Sequence, residues 1–73
     1  MMIPNTPEFP IIYYGILSTG ATVVPINVLL KAPEIRYHLE DSAAEVFFTW
    51  KDFYKDSRAA FEQTETCRHL FVV

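Results

Sequence analysis

From Phe9 to Leu30 the chain carries no charged residue, and that run is broken by Pro10, Gly15, Gly20, Pro25 and Asn27. A charge-free run of this length is the first requirement of a membrane-spanning helix. Its contents argue against one. The prolines and glycines interrupt it, Ser18, Thr19 and Thr22 add polar groups, and the Val-rich part after Gly20 suits a strand. A secretory signal is not expected either, because no basic segment precedes the apolar run and Glu8 stands in its place. The stretch must therefore bury its apolar groups inside a protein, as a helix followed by a strand.

The helix is marked at both ends. Thr6 is a suitable N-cap, Pro7 fits the first helical position, and Glu8 faces the positive end of the dipole. Phe9, Ile12, Tyr13, Ile16 and Leu17 recur at helical spacing, which predicts a helix over Pro7–Thr19 ended by Gly20 at C′. Ile11 and Tyr14 add apolar groups on the other side, so the helix needs more than one neighbour. Ala21–Ile26 then reads as a buried strand, with Pro25 at its end or at an unpaired position.

The rest alternates in the same way. Pro33–Ser42 reads as a second helix, with Ile35, His38, Leu39 and Ser42 on one face, and Glu45–Trp50 as a strand. Asp52–Thr66 reads as a third helix, on which Phe53, Ala60 and Phe61 share a face, and Leu70–Val73 as a last strand. Met1–Ile3 is an apolar start too short for a full strand. Helices alternating with strands that are apolar on both faces predict an α/β fold. The expected form is a three-layer parallel-sheet fragment, (β)αβαβαβ, with right-handed crossovers. The first strand looks clipped and the last has no cap, so both ends are expected to lie inside a larger sheet.

Size and charge narrow the function. Seventy-three residues make one domain at most, and a chain of 8.4 kDa buries only about 60% of its unfolded surface. Apolar burial and conformational entropy then nearly cancel. A single cysteine, Cys67, offers neither an internal disulfide nor a cysteine zinc site, so either the packing is very good or neighbours outside the chain complete the core. It also favours the cytoplasm. The net charge of −3 argues against a nucleic-acid partner.

The search for chemistry is nearly empty. Gly15 and Gly20 form no phosphate-binding loop and read as helix packing and a helix cap. No ligand spacing surrounds His38 or His69, and Cys67 beside His69 reads as a bystander. Glu40-Asp41 reads as a solvated helix end, and Tyr13-Tyr14 and Phe47-Phe48 as packing contacts. No catalytic, cofactor-binding or metal-binding residue is assigned.

The order of short motifs is more specific than any of them. Pro4-Asn5-Thr6-Pro7-Glu8-Phe9, Tyr14-Gly15-Ile16-Leu17, Gly20-Ala21-Thr22-Val23-Val24-Pro25-Ile26-Asn27 and Leu39-Glu40-Asp41-Ser42 resemble, in order and spacing, a stretch of the adenylate-forming enzymes. They are most similar to the acyl-CoA synthetases (fatty-acid–CoA ligases), over almost the whole chain. Ala43 departs from the glycine that the family carries after Asp-Ser, and Lys31 stands where Ser or Thr would complete a capping box.

The resemblance implies that residues 1–73 are part of the N-terminal, AMP-binding domain of an acyl-CoA synthetase. The parent would join a carboxylate to ATP as an acyl-adenylate, releasing pyrophosphate, and pass the acyl group to coenzyme A. It implies ATP, Mg²⁺ and coenzyme A as the parent's cofactors and the remainder of the ligase domain as partner. None of the family's phosphate-, adenylate- or ribose-binding motifs lies in these residues, so the chain alone is expected to be inactive scaffold that self-associates. The alternative is a stand-alone small α/β binding or interaction module. A membrane hairpin is a third reading, and it would require detergent.

Overall fold

Four consecutive residues, Val46–Thr49 (β1), organise the computed structural model, which describes residues 1–73. They pair in parallel with His69–Val72 (β2) in the register Val46↔His69 to Thr49↔Val72. On the other side of β1, Met2 donates to Phe48 O at 2.8 Å and accepts from Trp50 N–H at 3.1 Å, a parallel bridge to Thr49. Met1–Ile3 therefore lies beside β1, although it is too short to form a ladder.

Residues 21–26 form no strand, contrary to the expectation for Ala21–Ile26. Their only backbone bonds to the sheet are Met1 N–H to Val24 O, 2.8 Å, and Ile26 N–H to Met1 O, 2.8 Å. That is one rung of a parallel ladder with Pro25 opposite Met1. Val24 and Ile26 point their polar groups inward, and Pro25, without an N–H, faces the outer edge. The proline does sit at an unpaired position, and one rung on a one-residue partner is too little for a strand.

Three helices accompany these strands: Glu8–Ser18 (α1), Ala32–Asp41 (α2) and Tyr54–Gln63 (α3), the last preceded by a 3₁₀ turn at Lys51–Phe53. No helix is long and apolar enough to cross a membrane. The α1 cap is Pro7 rather than Thr6, and no side chain bonds to the first turn. Gly20 ends α1 as expected, with φ of 85° and its N–H on Leu17 O at 3.0 Å. At α2, Glu34 Oε2 accepts the Lys31 N–H at 2.9 Å. Lys31 has no acceptor to return the bond, so only half of a capping box is built.

The core lies between β1 and the pair α2–α3. Ile35 and Leu39 of α2, Phe47 of β1, Ala60 of α3, Met2, Ile26 and Cys67 form one buried cluster. His38 and Ser42 do not join it: both are exposed, and the buried stripe of α2 is Ile35 and Leu39 alone. Phe47 and Thr49 point into this core, so Val46 and Phe48 point to the opposite face. Phe48 stacks there on Phe71 with ring centroids 5.2 Å apart.

One polar pair crosses the core. The hydroxyls of Thr49 and Ser57 are 2.7 Å apart and fully buried, and Ser57 Oγ also lies 3.7 Å from Met2 Sδ. The contact joins β1 to α3 and to the Met1–Ile3 segment. Ser57→Ala leaves the Thr49 hydroxyl alone in the core and should cost about 1–3 kcal/mol. Adding Thr49→Val should recover most of that loss. A double-mutant cycle from urea unfolding measures both, and an additive pair would show that the bond contributes nothing.

The α2 terminus carries the fold's one non-glycine residue with positive φ, Ala43 at 54°. Ala43 N–H bonds to Glu40 O and Ala44 N–H to Leu39 O, each 3.1 Å, the two bonds of a Schellman motif. The left-handed conformation thus falls at the position where the resemblance implies glycine. Ala43→Gly should stabilise the chain by about 0.5–1 kcal/mol, read as a rise in the urea midpoint at unchanged slope. A fall in the midpoint would mean that the terminus is not held in this conformation in solution.

Candidate functional site

The largest concavity is an open apolar cleft of about 950 Å³ between α1, residues 21–26, the α2–β1 turn and the outer face of β1. Ile12 and Ile16 line it from α1, Val24 from the side, and Val46 and Phe48 from the sheet. Gly15 lies between the two isoleucines, and a Cβ built there meets nothing within 4 Å. No residue of α1 is fully buried, and Ile11 and Tyr14 are 71% and 67% exposed. The helix that the sequence required to have several neighbours has, within these residues, one incomplete one.

The polar groups around the cleft do not converge. Thr19 Oγ1 donates to Ile16 O at 2.6 Å and Ser42 Oγ to His38 O at 2.7 Å, so both hydroxyls are used by their own helices. Glu45 is the only charged residue in the lining. Ligand sites combine apolar walls with a few polar groups that fix orientation. This cleft has the walls, and its chemistry is limited to burying uncharged surface.

The residues weighed in the sequence are scattered. Cys67 is buried in the core, and its thiol points to the backbone oxygen of His69 at 3.8 Å rather than to the imidazole. Burial pushes that thiol up, which opposes nucleophilic use. His69 is exposed against Phe71, and His38 lies edge-on to Tyr37. No three His, Cys, Asp or Glu side chains come together at metal-binding distance. Glu40 is taken by Arg36 at 2.9 Å and Glu62 by Arg58 at 2.6 Å, both exposed pairs one helical turn apart.

The residues do not fit a polyphosphate either. Each helix start carries an acid in its first turn: Glu8 on α1, Glu34 on α2, Asp52 on the 3₁₀ turn and Asp56 on α3. An acid there occupies the positive dipole end that would attract phosphate. At α2 the occupation is explicit, because Glu34 already holds the Lys31 N–H.

One group escaped the reading of the sequence. The Met1 amine is drawn into the ladder with Val24, and burial pulls its pKa from 8.0 down to about 6, partly offset by Cys67. Only the register of Met1 against residues 24–26 reveals this, and no residue pattern carries it. The unfolded chain binds the proton more tightly, so stability should rise with pH between about 6 and 8, by at most about 2.7 kcal/mol. Urea unfolding of the 73-residue chain at pH 5.5 and pH 8, with the amine free or acetylated, isolates the effect. The acetylated chain keeps one N–H for Val24 and should lose this part of the pH slope; equal slopes would place the amine in water.

Comparison with known proteins follows the same outline. Residues 1–72 match the family model described as AMP-binding enzyme. A long-chain-fatty-acid–CoA ligase of Mycobacterium tuberculosis is 44% identical over 46 residues, 63% of this chain and 9% of the relative. One of Bacillus subtilis is 41% identical over 49 residues, 67% of this chain and 9% of the relative. A 4-hydroxybenzoate–CoA/benzoate–CoA ligase of Rhodopseudomonas palustris is 36% identical over 53 residues, 73% of this chain and 10% of the relative. The chain thus spans about a tenth of the length of these relatives. No solved structure matches it.

Proposed function

Because this chain belongs to the AMP-binding enzyme family, we propose that it serves as scaffold within an ATP-dependent acyl-CoA synthetase. The parent activates a carboxylate with ATP, releases pyrophosphate, and transfers the acyl group from the adenylate to coenzyme A. ATP, Mg²⁺ and coenzyme A are the parent's cofactors. Residues 1–73 supply part of its N-terminal domain and no catalytic, nucleotide-binding or metal-binding group. In that domain the sheet is covered on both faces, as three layers joined by right-handed crossovers. The enzyme works in the cytoplasm, with the remainder of the ligase domain as partner of this stretch.

The carrying observation is the family match over residues 1–72, taken with what those residues do. They pack a core, close two helices with left-handed residues and leave an apolar face open, while their acids occupy the helix starts. Two named relatives act on long-chain fatty acids and one on benzoates, so the stretch is shared across acid classes and does not select the acid. In isolation the open face drives the chain to self-associate or to pack loosely.

The expected result for the 73-residue chain is no heat of ATP binding in the sub-millimolar range and no pyrophosphate release with ATP and a panel of carboxylic acids. Calorimetric titration and a pyrophosphate assay measure the two. Sub-millimolar ATP binding, or turnover abolished by a point substitution within residues 1–73, would overturn the scaffold reading.

A further inference from the structure

We propose that the cleft beside α1 is a seam of the complete domain, closed by an uncharged, apolar segment of the ligase chain outside residues 1–73, with Gly15 at the point of closest approach. This rests on the scaffold reading and names the surface through which the scaffold is joined.

Three observations single out that occupant. First, the stretch from Phe9 to Leu30 has no charge, and on α1 the exposed Ile11 lines the cleft while the exposed Tyr14 stands beside it. An apolar face without charges is suited to permanent cover rather than to transient contact. Second, the relatives have about nine tenths of their length outside the matched stretch, so chain to cover the face exists there. Third, the geometry sets the mode of contact. The outer edge of residues 23–27 meets no strand, and Pro25 has no N–H to offer one. Side-chain packing into the cleft is left as the mode of joining. Ile12 and Ile16 flank Gly15 one turn apart, and the empty space over Gly15 lets a segment approach the α1 backbone.

The same observations disfavour the other occupants. A fatty acid would find few donors for its carboxylate: the Thr19 and Ser42 hydroxyls are bonded to their own helices, the Met1 amine to Val24 O, and Glu45 repels it, which leaves the single Thr22 hydroxyl. A second copy docked symmetrically would bring two Glu45 carboxylates toward one apolar seam.

The reporter is a thiol introduced by Gly15→Cys, alkylated and located by peptide mapping to separate it from Cys67. Its rate is measured in the 73-residue chain, extrapolated to zero concentration, and in a chimera that carries residues 1–73 in place of the matching stretch of the Bacillus subtilis relative. Ile11→Cys is the second site, in case Gly15→Cys prevents the chimera from folding. That failure, with the unsubstituted chimera folded, itself supports close cover over Gly15. The introduced thiol should react roughly tenfold or more slowly in the chimera than in the dilute chain. Equal rates would overturn the proposal. So would protection that needs added long-chain fatty acid, which makes the cleft a ligand site, or protection that appears only as the chimera dimerises. An unsubstituted chimera that does not fold would overturn it together with the scaffold reading. Ligase activity of the chimera separates the two in the remaining cases. An active chimera with a reactive thiol removes the seam and keeps the scaffold reading. An inactive, folded chimera with a protected thiol keeps the seam and removes the catalytic parent.

Discussion

The fold depends on the backbone of two residues. Met1 bonds on one side to Val24 and Ile26, and Met2 bonds on the other to Phe48 and Trp50. Parallel strands cannot be joined by tight turns, so each pairing must be closed over a long loop at an entropic cost. The Met1–Met2 segment closes two such loops at once. It ties the end of the charge-free stretch to β1, and its Met2 side chain is buried against Ser57 on α3. Without it, α1 and residues 21–26 would have only side-chain contacts to hold them to the sheet.

Much of this was legible in the sequence where local chemistry and tertiary demand agree. β1 falls within the run Glu45–Trp50, and β2 overlaps Leu70–Val73 but begins one residue earlier, at His69, because β-branched and aromatic residues meet a paired ladder there. The helix bodies follow the 3.6-residue spacing. The failures occur where a long-range partner decides. Residues 21–26 have strand composition, but a strand requires a neighbour, and theirs is a single residue. Thr6 has the chemistry of a cap, yet the chain enters α1 through Pro7 and the Thr6 hydroxyl is left buried without a partner. His38 has core spacing but faces solvent, because α2 needs only Ile35 and Leu39 to meet the core.

Ala43 shows how a resemblance and a torsion angle meet. Nothing in its neighbours requires a left-handed residue, since alanine is a good helix former. The expectation came from the glycine that the resemblance implies there, and the backbone has a φ of 54°. The open cleft was legible only as a need: α1 was apolar on too many sides for the chain at hand. The sequence could not place that cleft, because its walls come from four separate stretches that only the parallel register brings together.

The distribution of charge gives the open face its meaning. All 15 of the chain's Lys, Arg, Asp and Glu residues, six basic and nine acidic, lie outside Phe9–Leu30. On α2 and α3 they form the solvent surface, partly as the pairs Arg36–Glu40 and Arg58–Glu62. A small protein facing water on every side distributes charge over every side, because uncovered apolar surface promotes association. Here one side is charged and the other is not, and only 11 of 73 residues are buried. The two facts have one cause. On the scaffold reading, the charged surface is finished for solvent, whereas the surface around α1 is suited to cover by protein. A segment that closed over α1 would bind the folded chain and not the unfolded one, so on that reading the stability of this stretch is set jointly with its cover.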